Sequence, residues 1–148
     1  ARLAEAFGCE VLYYSTSGVE RDEVYNKLSL NDLLNSSDVI SIHCPLNERT
    51  YNLISAKELA MMKPTSYIVN MGRGGIVVEE ALVKAVDDGI IAGAALDVFC
   101  VEPLPSDSCF LNAKHPERLR LAPHVAWASV EARERLVGMV AENIEKGW

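Results

Sequence analysis

The sequence predicts an α/β fold with a doubly wound parallel sheet, and three observations carry that expectation. Short β-rich runs alternate with segments of helical apolar spacing, giving four helix–strand pairs in succession. The boundaries between them carry Gly and Pro, the residues that end helices and strands. With 148 residues, 49% hydrophobic and 24% charged, the chain suffices for one domain with a real core. Strands alternating with helices at this pitch pair in parallel through crossovers.

The elements follow in order. Leu3, Ala6 and Phe7 have helical spacing, Gly8 closes that helix, and residues 9–14 form a short β-rich run. Ser29 caps a short helix over 29–34, and the apolar run at 39–43 is a buried strand stopped by Pro45. A helix over 55–62 ends before Pro64, and a strand spans 66–70. A helix over 78–88 then ends at Gly89, and a strand follows over 91–98. Residues 99–123 break the pattern with Pro and Asp, leaving 119–121 as a candidate edge strand and the remainder as a candidate functional loop. Ser129, Glu131 and the helical spacing of Leu136, Val140 and Ile144 predict a long last helix, stopped at Gly147. No repeat or linker marks a second domain. The chain opens without Met and directly in helical pattern, as if cut from a longer polypeptide.

A formal charge of -7 with interspersed signs disfavours nucleic acid or an anionic membrane as partner and leaves a small-molecule ligand as the expectation. Cys9, Cys44, Cys100 and Cys109 show no CxxC spacing and no Cys/His cluster, so no metal site is expected and the thiols read as those of a cytoplasmic protein. No apolar run approaches membrane-spanning length, and the first residues are amphipathic rather than signal-like.

Ligands of an open parallel sheet bind beyond the carboxyl ends of its strands. The segments there are 14–18, 43–47, Asn70-Met71-Gly72-Arg73-Gly74-Gly75, 97–103 and Pro123-His124-Val125-Ala126-Trp127. Arg73, Glu102 and His124 thereby fall on one rim, the set needed to bind an anionic keto acid and move a proton. Taken singly, each has a plain alternative: Arg73 as a solvated cation, Glu102 as loop polarity, His124 as a structural imidazole. The glycines around Arg73 permit close approach of backbone to a ligand or serve a tight turn. Asp97 either caps a turn or presents its carboxylate to a nicotinamide amide. His43 and His115 lack such companions.

The run 70–75, Gly93-Ala94-Ala95-Leu96-Asp97-Val98-Phe99 with Val101-Glu102-Pro103, and Pro123-His124 resemble, in order and spacing, the signatures of D-2-hydroxyacid dehydrogenases. The turn from His124 to Ser129 looks most like the glycerate dehydrogenases, also called hydroxypyruvate reductases. The resemblance implies a Rossmann-like dinucleotide-binding domain truncated at its N-terminus, residues 1–148, without its first strand and Gly-rich turn and without the substrate domain. It implies NAD or NADP as cofactor, a small 2-keto or 2-hydroxy acid as substrate, and a homodimer. Arg73 would hold the substrate carboxylate and polarise the keto group, His124 would donate the proton, and Glu102 would orient His124. Ser15 and Thr16 would lie by the adenosine ribose, and Cys44, Pro45, Asn47 and Thr50 on the adenine side. Met71, Gly72, Arg73, Asp97, His124, Ala126 and Trp127 would face the nicotinamide end.

Three departures accompany the likeness. The G-x-G-x-x-G turn is absent, which cripples pyrophosphate binding, and without the substrate domain the segment by itself is expected to turn nothing over. Ser15 replaces the acidic residue that would hold the ribose hydroxyls, which removes a repulsion against a 2′-phosphate, yet no Arg adjoins Ser15 in sequence and Arg21 is six residues on. Val78 stands where a capping Asp is usual. Competing readings are a dinucleotide-sensing corepressor-like module, a phosphoglycerate dehydrogenase and an inactive structural domain. A formate dehydrogenase would need Gln at position 102.

Overall fold

Every strand pair is parallel, and register places one apolar row across the sheet. The computed structural model describes residues 1–19 and 24–147; Arg21 lies outside them. The elements are α1 (Arg2–Ala6), β1 (Leu12–Tyr13), β2 (Asn26–Lys27), α2 (Leu30–Ser36), β3 (Val39–Ile42), α3 (Ala56–Leu59), β4 (Tyr67–Asn70), α4 (Glu79–Asp87), β5 (Gly93–Leu96), β6 (Leu119–Leu121) and α5 (Val130–Glu145). Strands β3-β4-β5-β6 form one sheet and β1-β2 a separate pair. Where the alternation suggested one continuous sheet, the described strands therefore form two.

Ile40, Ile68, Ala94 and Leu119 stand side by side across the larger sheet. Each is at most 6% exposed. Leu34 of α2, Leu59 of α3 and Leu82 and Val86 of α4 are buried in the same core. The opposite face, with Val39 and Tyr67, is open. Alternating burial rather than continuous burial is the signature of a sheet covered on one side.

Local hydrogen bonds explain where the elements fall short of their expected bounds. Cys9 N donates to Ala4 O, so the chain is still closing α1 at residue 9 and β1 begins only at Leu12. Met61 N and Met62 N donate to Glu58 O and Leu59 O, tightening the end of α3 ahead of Pro64. Ile90 N and Ile91 N reach back to Ala85 O, which delays β5 to Gly93. β2 and the 3-10 turns at Cys109–Asn112 and Pro116–Arg118 were not expected. The starts follow their caps: Ser29 accepts from Asp32 N, Ser55 forms a capping box with Glu58, and Ser129 accepts from Ala132 N. Val78 heads α4 with no side-chain cap, and Glu79 and Glu80 complement the dipole instead. Helix α5 buries none of its described residues, so the apolar spacing of Leu136, Val140 and Ile144 marks a face left open.

Candidate active site

Three loops beyond the carboxyl ends of β4, β5 and β6 are fastened to one another, and each carries one member of the expected set. The first follows β4. Asn70, 2% exposed at the strand end, accepts from Gly72 N at 3.0 Å and donates through Nδ2 to Arg73 O at 3.0 Å. This Asx-type clamp turns the chain sharply and leaves the Arg73 side chain exposed, its Nη1 donating to Gly72 O. Gly74 then packs on the second loop so closely that a Cβ there would lie 1.9 Å from Phe99 O. Only glycine permits that approach.

The second loop leaves β5 at Leu96. Asp97, buried, accepts from Val125 N and Ala126 N, both at 2.8 Å. Both carboxylate oxygens of Asp97 are thus engaged by the backbone of the loop after β6 rather than by a turn at its own strand end. Farther along, Glu102 accepts from Phe99 N at 2.9 Å and meets His124 Nδ1 at 2.7 Å with its other oxygen. The hydrogen bond with His124, then that from Phe99 N, holds the Glu102 carboxyl below its ordinary range. Phe99 is braced by an edge-on contact with Phe110, ring centroids 5.6 Å apart.

The third loop carries His124 in the left-handed region, φ 55°. A non-glycine residue held there carries strain of about 1–3 kcal/mol. The two bonds to Asp97 fix the following residues, and Trp127 Nε1 donates to His124 O at 2.8 Å, so the surroundings impose the conformation. With Nδ1 on Glu102, Nε2 is the ring nitrogen left to exchange a proton with a ligand. The His124 and Glu102 side chains are each about one-third exposed, open to a ligand yet held. Beside them a cavity of about 520 Å³ is lined by Phe99, Glu102, Pro103, Leu104, Leu121, Ala122 and Pro123.

A second cleft, about 480 Å³, opens between the loops after β3 and β4 and is lined by Cys44, Pro45, Met71, Gly72 and Arg73 with His43 and Leu46. Five residues expected to meet a dinucleotide therefore share one cleft. Burial and a backbone hydrogen bond act on Cys44 in opposite senses, and burial prevails to push its thiol up. Thr50 does not line the cleft: fully buried, it accepts from Asn47 N at 2.8 Å and donates to Pro45 O at 2.7 Å, so it shapes the turn from beneath. Asn47 accepts from Arg49 N in the same turn. Ser15 and Thr16 lie half-buried just past β1, with Ser15 Oγ 3.1 Å from Ser17 Oγ. Ala126 and Trp127 are exposed beside His124. His43 pairs with Ser41 and His115 with Glu117, away from Glu102 and His124. Among the described residues no group of three or more His, Cys, Asp or Glu could hold a metal, and no helix is long and apolar enough to cross a membrane.

Two contributors escaped the sequence reading. Asn70 had a legible signal, a polar residue ending an apolar strand before a glycine turn. Arg49 had none, because its contact with Ser17 O, at 3.5 Å, joins residues 32 apart in sequence.

Comparison with known proteins agrees with this architecture. Residues 1–126 match the family model described as D-isomer specific 2-hydroxyacid dehydrogenase, NAD binding domain. A glyoxylate reductase of Korarchaeum cryptofilum is 44% identical over 97% of this chain and 43% of its own length. A hydroxypyruvate reductase of Blautia hydrogenotrophica is 36% identical over 98% of this chain and 45% of its own. Among solved structures, the acyclic imino acid reductase Bsp5 in complex with NADPH and D-Arg superposes with a TM-score of 0.87 at 30% identity, over 97% of this chain and 45% of that one. The chain thus spans less than half the length of these relatives. It belongs to the D-isomer specific 2-hydroxyacid dehydrogenase family, matching its NAD binding domain.

Proposed function

We propose that residues 1–148 are part of the dinucleotide-binding domain of an NAD(P)-dependent D-2-hydroxyacid dehydrogenase that reduces small 2-keto acids of the glyoxylate and hydroxypyruvate type. The observation that carries this reading is the Glu102–His124 pair, 2.7 Å apart. Its Glu102 member sits on the loop that packs, at Phe99 and Cys100, directly against the Gly74 turn that presents Arg73.

The residues fit a dinucleotide at both ends. The cleft at the ends of β3 and β4 accepts a flat ligand beside Cys44, Met71 and Gly72, and hydroxyls stand beyond β1, where a ribose is held in such folds. In this reading a further domain closes over the substrate. A homodimer in the cytoplasm completes the proposal.

When bound, the reduced nicotinamide supplies hydride to the keto carbon. Arg73, the exposed cation of the rim, binds the substrate carboxylate and draws the keto oxygen toward positive charge. His124 gives the proton at Nε2 to that oxygen as the alcohol forms, and in the reverse direction takes it back. Glu102 on Nδ1 keeps the ring turned to the substrate and offsets the charge the ring carries before transfer.

The test is reduction of glyoxylate, hydroxypyruvate and pyruvate by the full-length protein, followed by nicotinamide absorbance with NADH and NADPH, with the product's handedness determined. The reading expects a D-2-hydroxy acid from at least one. Dinucleotide binding without reduction of any 2-keto acid would move the protein to the dinucleotide sensors.

A further inference from the structure

Two consecutive backbone N–H groups in the loop after β5 are each held by a carboxylate, and the two carboxylates come from different parts of the fold. Phe99 N donates to Glu102 Oε1 at 2.9 Å, and Cys100 N donates to Glu79 Oε1 at 2.7 Å. Glu79 is the first residue of α4, 21 residues earlier in the chain. The Cys100 thiol bonds to the same carboxylate. Burial, then the charge of Glu79, push that thiol up to about 11, while a backbone hydrogen bond from Gly75 acts the other way. The Gly74–Gly75 turn, the head of α4 and the Glu102 loop therefore meet at Cys100. An acid in the first turn of a helix ordinarily complements the dipole from the surface, as exposed Glu80 does. Glu79 is half-buried and directs its carboxylate at another loop instead.

Glu102 has two carboxylate oxygens, one on Phe99 N and one on His124 Nδ1. A carboxylate beside two adjacent free N–H groups is drawn to bridge them, because charge-assisted bonds are strong and an unmet N–H is costly. Glu79 removes that competition: with Cys100 N already satisfied, the second Glu102 oxygen is left to the imidazole. We propose that Glu79 is a positioning residue, which by holding Cys100 N from α4 fixes the Glu102 loop and keeps Glu102 on His124. It acts on the reaction only through Glu102. The effect on turnover rests on the dehydrogenase reading above; the coupling of Glu79 to Glu102 does not.

The test compares full-length wild type, Glu79→Ala, Glu79→Gln and Glu80→Ala in steady-state reduction of glyoxylate and hydroxypyruvate and in urea melts. Glu79→Ala should lower kcat by about tenfold to a hundredfold with KM changed less than about twofold, the split expected when a proton donor is misplaced and substrate binding is spared. Glu79→Gln keeps an oxygen acceptor for Cys100 N and should restore most of kcat. Glu80→Ala removes the same charge from the same helix turn and should keep kcat, which separates the dipole from the positioning role. In melts, Glu79→Ala should cost less in a Glu102→Gln background than in wild type, by at least about threefold in the unfolding constant, because the two residues hold one loop. Wild-type kcat in Glu79→Ala, equal kcat losses in Glu79→Ala and Glu79→Gln, or stability losses that simply add would each overturn the inference. If wild type reduces no 2-keto acid, the dehydrogenase reading falls, and the melts still decide whether Glu79 and Glu102 are coupled.

Discussion

Gly74→Ala asks whether the Arg73 turn and the Glu102 loop act as one unit. The added methyl carbon would lie 1.9 Å from Phe99 O, 2.1 Å from Phe99 C and 2.5 Å from Cys100 N. All three are backbone atoms, so no side chain can rotate away. Ordinary contact begins at 3.4 Å. The two loops must therefore part by about 1.5 Å, an overpacking that costs about 1–3 kcal/mol. At roughly 2–4 °C per kcal/mol for a domain of this size, Tm should fall by about 2–12 °C. Phe99 N holds Glu102, and Glu102 holds His124, so the displacement reaches the His124 ring. A misplacement of about 1 Å can cost on the order of 10²-fold in rate. The matched control is Gly138→Ala in α5, where nothing lies within 4 Å of the added carbon and helix propensity favours Ala by about 1 kcal/mol. Thermal melting and turnover of both variants in the full-length protein decide the matter. A Gly74→Ala protein with wild-type Tm and wild-type kcat would refute the coupling of the loops.

Three further outcomes follow from the same geometry. Asp97→Asn leaves one oxygen acceptor where two N–H groups now converge, so it should lose about 1–3 kcal/mol in denaturant melts and lower kcat more than it raises KM. Glu102 has a depressed carboxyl pKa through His124 and Phe99 N, so its stabilising contribution is present above the unfolded value of about 4.3 and is lost as pH falls through the lower folded value. Urea melts should accordingly show wild type ahead of Glu102→Gln at pH 7, with the gap closing below about pH 4; a gap that persists there contradicts the assignment. Burial first, and then the charge of Glu79, push the Cys100 thiol up to about 11, so iodoacetamide should label it slowly at pH 8 and faster in Glu79→Gln. Unchanged labelling in that variant would remove Glu79 as a cause.

The alternation of strands and helices was legible because apolar runs such as 39–42 and 67–69 are bounded by caps and breakers that act locally. β2 was not, since Asn26 and Lys27 are polar and exposed and carry no apolar pattern. The expected lengths of β1, α3 and β5 overran because the bonds that end them are made by backbone atoms, whatever the side chains. Periodicity showed that α5 has an apolar face but could not say what covers it. In the site, Arg73, Glu102 and His124 stood out together only through their common position after strands and the family resemblance. The structure adds how they are positioned: Asn70 acts through a local turn that sequence can suggest, and Asp97 through bonds to Val125 and Ala126, 28 and 29 residues away, that it cannot. Thr50, assigned by resemblance to the adenine side, lies buried under the turn, where its hydroxyl ties the backbone bend, a role its position in the sequence did not announce. Arg49 was invisible because pairing between loops 32 residues apart depends on the sheet order.

The central claim is that His124, held by Glu102, donates the proton that accompanies reduction of the keto group. The most direct measurement is kcat of the full-length protein and of His124→Gln on glyoxylate and hydroxypyruvate at saturating reduced dinucleotide. The expected loss is about 10²–10⁴-fold, the usual worth of a positioned general acid, with the folded state intact by circular dichroism. A His124→Gln protein that keeps wild-type kcat would contradict it.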